Sequence, residues 1–160
     1  MANWEASCRI SRVEQEDRFG CGVACLAMIA GITYAEARLT LLRYGLGSDQ
    51  RRNGKKPFST NFTELMLVLA EHGKDTTKKQ WKGWDQFEGI GIIKVRCAPG
   101  APQNSWHWVV AEQHSLFGVV IHDPDFPLPC FQRQQPEDVA CHPFDNYEPH
   151  GCWISIVNRG

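Results

Sequence analysis

The sequence predicts an α+β domain in which N-terminal helices pack on a C-terminal antiparallel sheet. Segments before Gly73 have the apolar spacing of helices and end at glycines. After Trp81 the apolar segments are short, rich in β-branched and aromatic residues, and separated by turn-prone stretches. Helices first and strands afterwards is the order typical of an α+β domain. No linker divides the chain, so we expect one domain over residues 1–160.

Three helices are predicted. The residues of the first helix are small and apolar on all sides, which indicates a buried helix. Each of the three helices is followed by a glycine that can end it. Their limits are residues 22–30 before Gly31, residues 34–44 before Gly45, and a third helix from a cap at Thr60 or Asn61 to Gly73. In the second helix, the side chains expected to face the core are those of Ala35, Leu39 and Leu42, with Ala37 and Leu41 as further candidates.

Four strands are predicted in the second half of the chain, at residues 90–96, 106–111, 117–122 and 153–157. Residues 45–60, between the second and third helices, are rich in glycine, basic and polar residues and are predicted to form a long loop.

Composition excludes several classes of function. The formal net charge of −1 gives no overall field for nucleic acid or an anionic membrane. No segment reaches the roughly 18 apolar residues of a membrane span, and the N-terminus lacks a secretory-signal pattern. Seven cysteines, an odd number, predict reduced thiols in a cytoplasmic protein. Export as an effector without a cleaved signal, with paired disulfides, stays open. We expect a monomer with no cofactor.

One cysteine stands where a reactive thiol would be placed. If a helix begins at Gly22, Cys21 lies at its N-terminus, where unpaired N–H groups and the helix dipole favour a thiolate. Gly20 and Gly22 on either side would let a substrate backbone approach the sulfur. The alternative is that Cys21 is a small buried cysteine with no chemical role.

A base and an orienting carboxylate are predicted across one hairpin. If residues 114–116 form its loop, His107 lies directly opposite Asp123, with Cβ atoms about 5 Å apart. That distance suits a hydrogen bond from an imidazole to a carboxylate, which leaves the other ring nitrogen for a thiol. A loop one residue different would pair His107 with His122 instead. Pro124 would end the strand and fix the carboxylate there.

These residues resemble the bacteriocin-processing, double-glycine leader peptidases, which are papain-like cysteine peptidases. The similarity spans roughly residues 10 to 125 and rests on Gln15, on Cys21-Gly22 with Ala24-Cys25-Leu26-Ala27-Met28-Ile29, on His107-Trp108-Val109-Val110 and on Asp123-Pro124.

The resemblance implies a papain-like fold and a role for each matched residue. Cys21 would be the nucleophile, His107 the general base and Asp123 the residue that orients the base. Gln15, six residues before Cys21, would help form the oxyanion hole, and Cys25 would take the second, structural cysteine position. The family usually has an acidic residue directly before the nucleophile, where this chain has Gly20.

The predicted function is hydrolysis of a peptide or isopeptide bond in a peptide or protein substrate, with a glycine-containing peptide as one substrate to consider. The first alternative is a glutamine deamidase or transglutaminase-like effector that uses the same triad. The second is an inactive papain-like binding module, against which the intact set of Gln15, Cys21, His107 and Asp123 argues.

Two weaker signals have competing interpretations. Residues 51–82, which include Arg52, carry a surplus of five positive charges, and residues 123–148 are acidic. They form either a basic surface for an acidic partner or solvated loops, and we favour solvated loops. Zinc could be bound near the end of the chain by Cys141, His142, His150 and Cys152. Their spacing matches no structural zinc pattern, however, and we therefore predict no metal.

Overall fold

The computed structural model describes residues 3–48, 51, 54–96 and 106–157. Within them the helices are α1 Cys21–Ala30, α2 Tyr34–Arg43 and α3 Phe62–Glu71, and the strands are β1 Thr76–Gln80, β2 Ile90–Arg96, β3 Trp106–His114, β4 Gly118–His122, β5 Cys130–Phe131 and β6 Pro149–Ile156. The predicted α+β class is confirmed. Cys97, one of the seven cysteines, and Arg52 of the basic segment lie outside the described residues.

Side-chain caps explain where two helices begin. Thr33 and Glu36 form a reciprocal capping box at α2, and Asn61 and Glu64 form another at α3. The predicted core face of α2 was right for Ala37 and Leu41, which are buried with Tyr34, and wrong for Leu39 and Leu42, which are exposed. Two apolar stripes were available, and the one containing the small Ala37 allows the closer approach of α1.

The six strands form one antiparallel sheet in the order β1-β6-β2-β3-β4-β5. Two of these strands were not predicted. β1 has the sequence TTKKQ and lies largely exposed at one edge of the sheet, so it lacks the alternation of a half-buried strand. β5, at the other edge, has only two residues.

The sheet is buried on both faces. Ile92, Trp108, Val110 and Ile154 pack against the three helices. On the other face, Ile93, Val109, Ile121 and Trp153 pack with aromatic residues supplied by the connecting segments, namely Trp81, Trp84, Phe87, Phe144 and Tyr147. The helices and these aromatic segments therefore cover the two faces of the sheet.

In the described ranges, no single helix is long and apolar enough to cross a membrane. Helices α1 and α2 reach that length and hydropathy only when taken together, and the chain bends by 113° between them.

Candidate active site

Cys21 lies at the first position of α1. The N-cap, Gly20, makes no side-chain capping bond, so the first N–H groups of the helix remain available beside the half-buried Cys21 side chain. Cys21 and His107 line the same cleft, and the interaction with Cys21 contributes to the raised pKa of the His107 ring. Cys25, one turn later, is fully buried, and burial followed by the charge of Cys21 raises the pKa of its thiol well above the ordinary value.

Helix α2 holds the turn that precedes Cys21. The Tyr34 hydroxyl donates to Asp17 Oδ2 at 2.6 Å and accepts from the Asp17 N–H at 3.1 Å, and Arg38 pairs with the same carboxylate at 3.0 Å. A Cβ added to Gly20 would collide with the Tyr34 hydroxyl oxygen. The glycine before Cys21, which departs from the family pattern, is therefore required by the close approach of Tyr34.

His107 lies on β3 and Asp123 directly follows β4, and the register of these two strands differs from the predicted one. His114 is opposite Gly118 and Val110 is opposite His122, so the loop is residues 115–117 and the predicted direct pairing of His107 with Asp123 was wrong by two residues. The turn is set by His114 Nδ1, which accepts the N–H of Leu116 at 3.1 Å, and by Gly118, whose φ of 74° belongs to the left-handed region.

The two-residue shift leaves the pair on one face of the sheet, because only an odd shift turns a side chain to the other face. Asp123 lies level with Val109 and diagonal to His107, within reach of the imidazole. The His107 Nε2 and Asp123 Oδ1 atoms are 2.6 Å apart. This bond leaves Nδ1 of His107 for the Cys21 sulfur.

Three donors converge on the buried carboxylate of Asp123. Besides His107, the backbone N–H of Asp125 donates to Oδ1 at 2.8 Å and the Tyr147 hydroxyl donates to Oδ2 at 2.7 Å. Arg12 donates to the Asp123 carbonyl oxygen at 2.7 Å and so fixes the backbone. Sequence reasoning missed Tyr147 and Arg12, because no local motif connects either of them with Asp123.

The charges of the pair are set by these bonds. Burial disfavours the protonated imidazole, but hydrogen bonds with Asp123 and Cys21 outweigh it and raise the pKa of His107 from 6.5 to about 10. Burial likewise raises the pKa of Asp123, and the bonds from His107, Asp125 and Tyr147 more than compensate, so its pKa lies below the ordinary carboxyl value. An imidazolium next to a carboxylate is the favoured state near neutral pH.

Gln15 reaches the same cleft as Cys21, but its amide is directed at its own turn. Its Nε2 donates to the carbonyl oxygens of Asp17 and Arg18, each at 3.2 Å, and its Oε1 is buried without a partner. The Gln15 backbone N–H donates to Pro124 O at 3.0 Å, which ties this segment to the residues that follow Asp123. An oxyanion contact would require Nε2 to exchange one carbonyl for the substrate.

A cleft of about 530 Å³ opens over these residues. Its lining includes Gln15, Cys21 and His107 together with the aromatic side chains of Phe19, Phe62, Trp106 and Trp108. Such a mixture of apolar walls and a few convergent polar groups is typical of a ligand-binding cleft. Three other clefts in the described part of the chain lack the Cys21 side chain.

Metal-ligating residues come together elsewhere. Ligand atoms of Cys8, Glu112 and His122 all lie within 4.8 Å of one another, but Glu112 already accepts bonds from His122 at 2.8 Å and from the backbone N–H groups of Arg9 and Ile10 at 2.9 and 3.1 Å. This saturated carboxylate anchors the N-terminal segment on β3. No three of the possible zinc ligands Cys141, His142, His150 and Cys152, all within the described ranges, form such a group.

Comparison with known proteins identifies the fold. No family model matches the sequence, and no curated protein matches it. The structure is similar to the crystal structure of a double-glycine motif protease from an AMS/PCAT transporter in complex with the leader peptide. The TM-score is 0.57 at 16% sequence identity, over 92% of this chain and 91% of the other. At that identity the similarity shows the fold alone, and it confirms the predicted papain-like α+β architecture.

Proposed function

We propose that this protein is a cysteine peptidase in which Cys21 is the nucleophile, His107 the acid and base, and Asp123 the group that orients His107. The observation that carries the proposal is that Cys21, at a helix N-terminus, shares one cleft with His107, whose ring is hydrogen-bonded to the Asp123 carboxylate. The fold of the similar double-glycine motif protease supports the same class of reaction.

The reaction follows from the charges of these groups. Cys21 transfers its proton to His107, and the thiolate attacks the carbonyl carbon of the scissile bond to form a tetrahedral oxyanion. His107 then gives the proton to the leaving amine, the C–N bond breaks, and a thioester on Cys21 remains. Water deprotonated by His107 attacks the thioester, which releases the acid product and restores the Cys21 thiol. Asp123 keeps the ring in one orientation throughout.

The oxyanion would be bound by the N–H of Cys21 and by the amide of Gln15. The buried, unpartnered Oε1 of Gln15 and the two long bonds from its Nε2 show an amide whose hydrogen bonds are incompletely satisfied in the free enzyme. A negatively charged oxygen is a stronger acceptor than a backbone carbonyl, which favours the exchange when the tetrahedral intermediate forms.

The test is to incubate the purified protein with glycine-containing peptides and to identify products by mass spectrometry. New N-termini that appear with wild-type protein and are absent with Cys21→Ala support a peptidase. Release of ammonia with a 1 Da gain at glutamine would instead assign the first alternative, deamidation by the same residues. Absence of both products across a broad peptide panel would contradict an enzymatic role.

A further inference from the structure

Three cations surround two aromatic rings beside the cleft. Lys78 Nζ lies 4.6 Å from the Phe62 ring centroid, Lys94 Nζ lies 5.7 Å from Phe62 and 5.1 Å from Trp106, and Arg96 Cζ lies 5.8 Å from Trp106. We refer to Phe62, Lys78, Lys94, Arg96 and Trp106 as the cationic ledge. Its rings hold the cations in place without neutralising them, since a cation–π contact leaves the charge available.

The sheet places the ledge on one face. Lys94 and Arg96 are two residues apart on β2 and therefore point to the same side. Lys78 on β1 is opposite Ile154, which is opposite Ile92 on β2, so Lys78 lies on that side as well. This is the face covered by the helices, and it continues to Trp108 of the cleft.

The ledge is continuous with the candidate active site. Phe62, Lys94 and Trp106 line the cleft that contains Cys21, and Trp106 directly precedes His107. Lys78 and Arg96 are exposed at its margin. A substrate that extends from the Cys21 sulfur across Trp106 would therefore pass the three cations.

The ledge cations differ from other basic side chains of the protein. Arg51 and Lys55 pair with Glu64, and Arg38 pairs with Asp17. None of the ledge cations lies within ion-pair distance of a carboxylate in the described part of the chain. Lys78 is the one cation of the ledge that comes from the basic segment 51–82, so the interpretation of that segment as solvated loops does not extend to Lys78.

We propose that the cationic ledge binds acidic side chains of the substrate, so that the enzyme selects peptides with Glu or Asp on one side of the scissile bond. This inference rests on the proposed peptidase function. The carboxylate of Asp125 also lines the cleft, and its negative charge would repel the carboxylates of a substrate. The acidic residues of the substrate therefore belong toward Lys94 and Trp106, away from Asp125.

A binding experiment tests the ledge apart from catalysis. Full-length Cys21→Ala protein is titrated with two fluorescein-labelled peptides of one length that contain Gly-Gly, one with four Glu residues and the other with Gln in their place. We expect the Glu peptide to bind about tenfold more tightly at low salt, from a few exposed ion pairs. The preference should shrink markedly at about 0.3 M salt because exposed charges are screened.

Adjacent lysines of β1 supply the matched control. Lys78 and Lys79 are both exposed, but Lys79 points to the other face, over the Trp153 ring at 5.7 Å. Lys78→Glu and Lys94→Gln should each reduce the Glu preference about threefold or more, whereas Lys79→Glu should leave it unchanged. Equal affinity for the two peptides, or equal effects of Lys78→Glu and Lys79→Glu, would overturn the ledge.

Two further arms separate the possible failures. A fluorescein-labelled oligonucleotide that binds more tightly than the Glu peptide and loses affinity with Lys78→Glu would assign the ledge to nucleic acid and overturn our proposal. Cleavage of both peptides by wild-type protein at equal rates, with equal binding, would reject the ledge and keep the peptidase. A Glu preference that responds to Lys78→Glu, without cleavage of any peptide, would support the ledge as a binding surface and reject the peptidase.

Discussion

Two histidine–carboxylate pairs bridge the hairpin of β3 and β4, on opposite faces of the sheet. His107 Nε2 lies 2.6 Å from Asp123 Oδ1, and His122 Nε2 lies 2.8 Å from Glu112 Oε1. Each pair has a cysteine beside it, which interacts with the histidine in one pair and with the carboxylate in the other. Cys21 helps to raise the pKa of the histidine of the first pair, whereas Glu112, the carboxylate of the second pair, helps to raise the pKa of Cys8.

The two groups of cysteine, histidine and carboxylate differ in which residue lies next to the sulfur. Burial, followed by the charge of Glu112, raises the pKa of Cys8 to about 12, so Cys8 remains a thiol. Cys21 instead stands at a helix N-terminus in one cleft with the histidine of its pair, so its sulfur has a proton-accepting ring as its neighbour. A cysteine, a histidine and a carboxylate in proximity are therefore insufficient for nucleophilic chemistry, because the sulfur also needs the histidine, and not the carboxylate, as its neighbour.

The largest expected effect is the loss of turnover when the Cys21 thiol is removed, compared with removal of the Cys8 thiol. Cys21→Ala should lower peptide cleavage by at least about a thousandfold and change the free energy of unfolding by less than about 1 kcal/mol. Cys8→Ala should keep activity within about threefold, because Cys8 does not contact His107. Steady-state kinetics and thermal unfolding of both variants measure these effects. Full activity of Cys21→Ala would reject the proposed nucleophile.

Alkylation rates should rank the thiols in the same way without any substrate. During brief treatment with iodoacetamide near pH 6, Cys21 should react first, and Cys8 and Cys25 at least about a hundredfold more slowly, since only the thiolate reacts. Cys25→Ala should reduce stability, because Cys25 is fully buried, and leave labelling of Cys21 intact. Peptide mapping by mass spectrometry gives the order, and first labelling at Cys25 or Cys97 would contradict it.

The carboxylates should separate catalysis from stability. Asp123→Asn should reduce turnover roughly ten- to a thousandfold, because an amide does not stabilise the imidazolium and can hold the wrong tautomer, and His107→Ala should be at least as damaging. Glu112→Gln should instead lower the free energy of unfolding by about 2 kcal/mol, since it disrupts a buried network, and keep turnover per folded molecule. Comparable losses of turnover in both variants would erase the distinction between the pairs.

The pH dependence should report the raised pKa of His107. The imidazolium is the proton donor to the leaving amine, so kcat/KM should fall as pH rises through about 10. Protonation of His107 also contributes stability that is complete below about pH 6.5 and is lost as pH rises toward 10. In Asp123→Asn the fall in kcat/KM and the loss of stability should both occur at lower pH, because the carboxylate that raises the pKa of His107 is gone. An alkaline limit that stays in place would show that another group controls it.

Sequence reasoning was accurate where local patterns carry the structure. The limits of β2 agree with the structure, and Asn61 with Glu64 has the capping-box pattern that starts α3. The edge strand β1 was missed because four of its five residues are exposed and no alternation is present. The hairpin register was misplaced because His114 was assigned to the loop, whereas its ring accepts backbone N–H groups and extends β3 by pairing with Gly118.

The candidate site was predictable only in part. The family motifs named Gln15, Cys21, His107 and Asp123. The structure brings the first three into one cleft and joins His107 to Asp123 by a hydrogen bond. The roles of all four stay predictions. The direction of the Gln15 amide depends on two carbonyls of a turn, which no spacing of side chains reveals. Partners that arrive from distant segments carry no local signal, and Tyr147 is the main example.

The smallest expected effect, Tyr147→Phe, tests how closely Asp123 must be held. The Tyr147 hydroxyl is the donor to Oδ2, while His107 and Asp125 both bind Oδ1. Phenylalanine keeps the ring in its buried aromatic cluster and removes only the hydroxyl, which leaves Oδ2 without that donor and the carboxylate freer to turn. We expect kcat to fall about three- to tenfold at unchanged KM, because the loss of about 1 kcal/mol of orienting interaction appears in the transition state.

Trp153→Phe, which shortens a side chain of the same cluster without touching Asp123, is the matched control and should lower thermal stability but keep kcat. If both variants reduce kcat in proportion to their loss of stability, Tyr147 acts through packing alone. If Tyr147→Phe reduces kcat at wild-type stability, the hydroxyl is a positioning group for Asp123, and the segment that follows β5 contributes to the site as directly as the hairpin does.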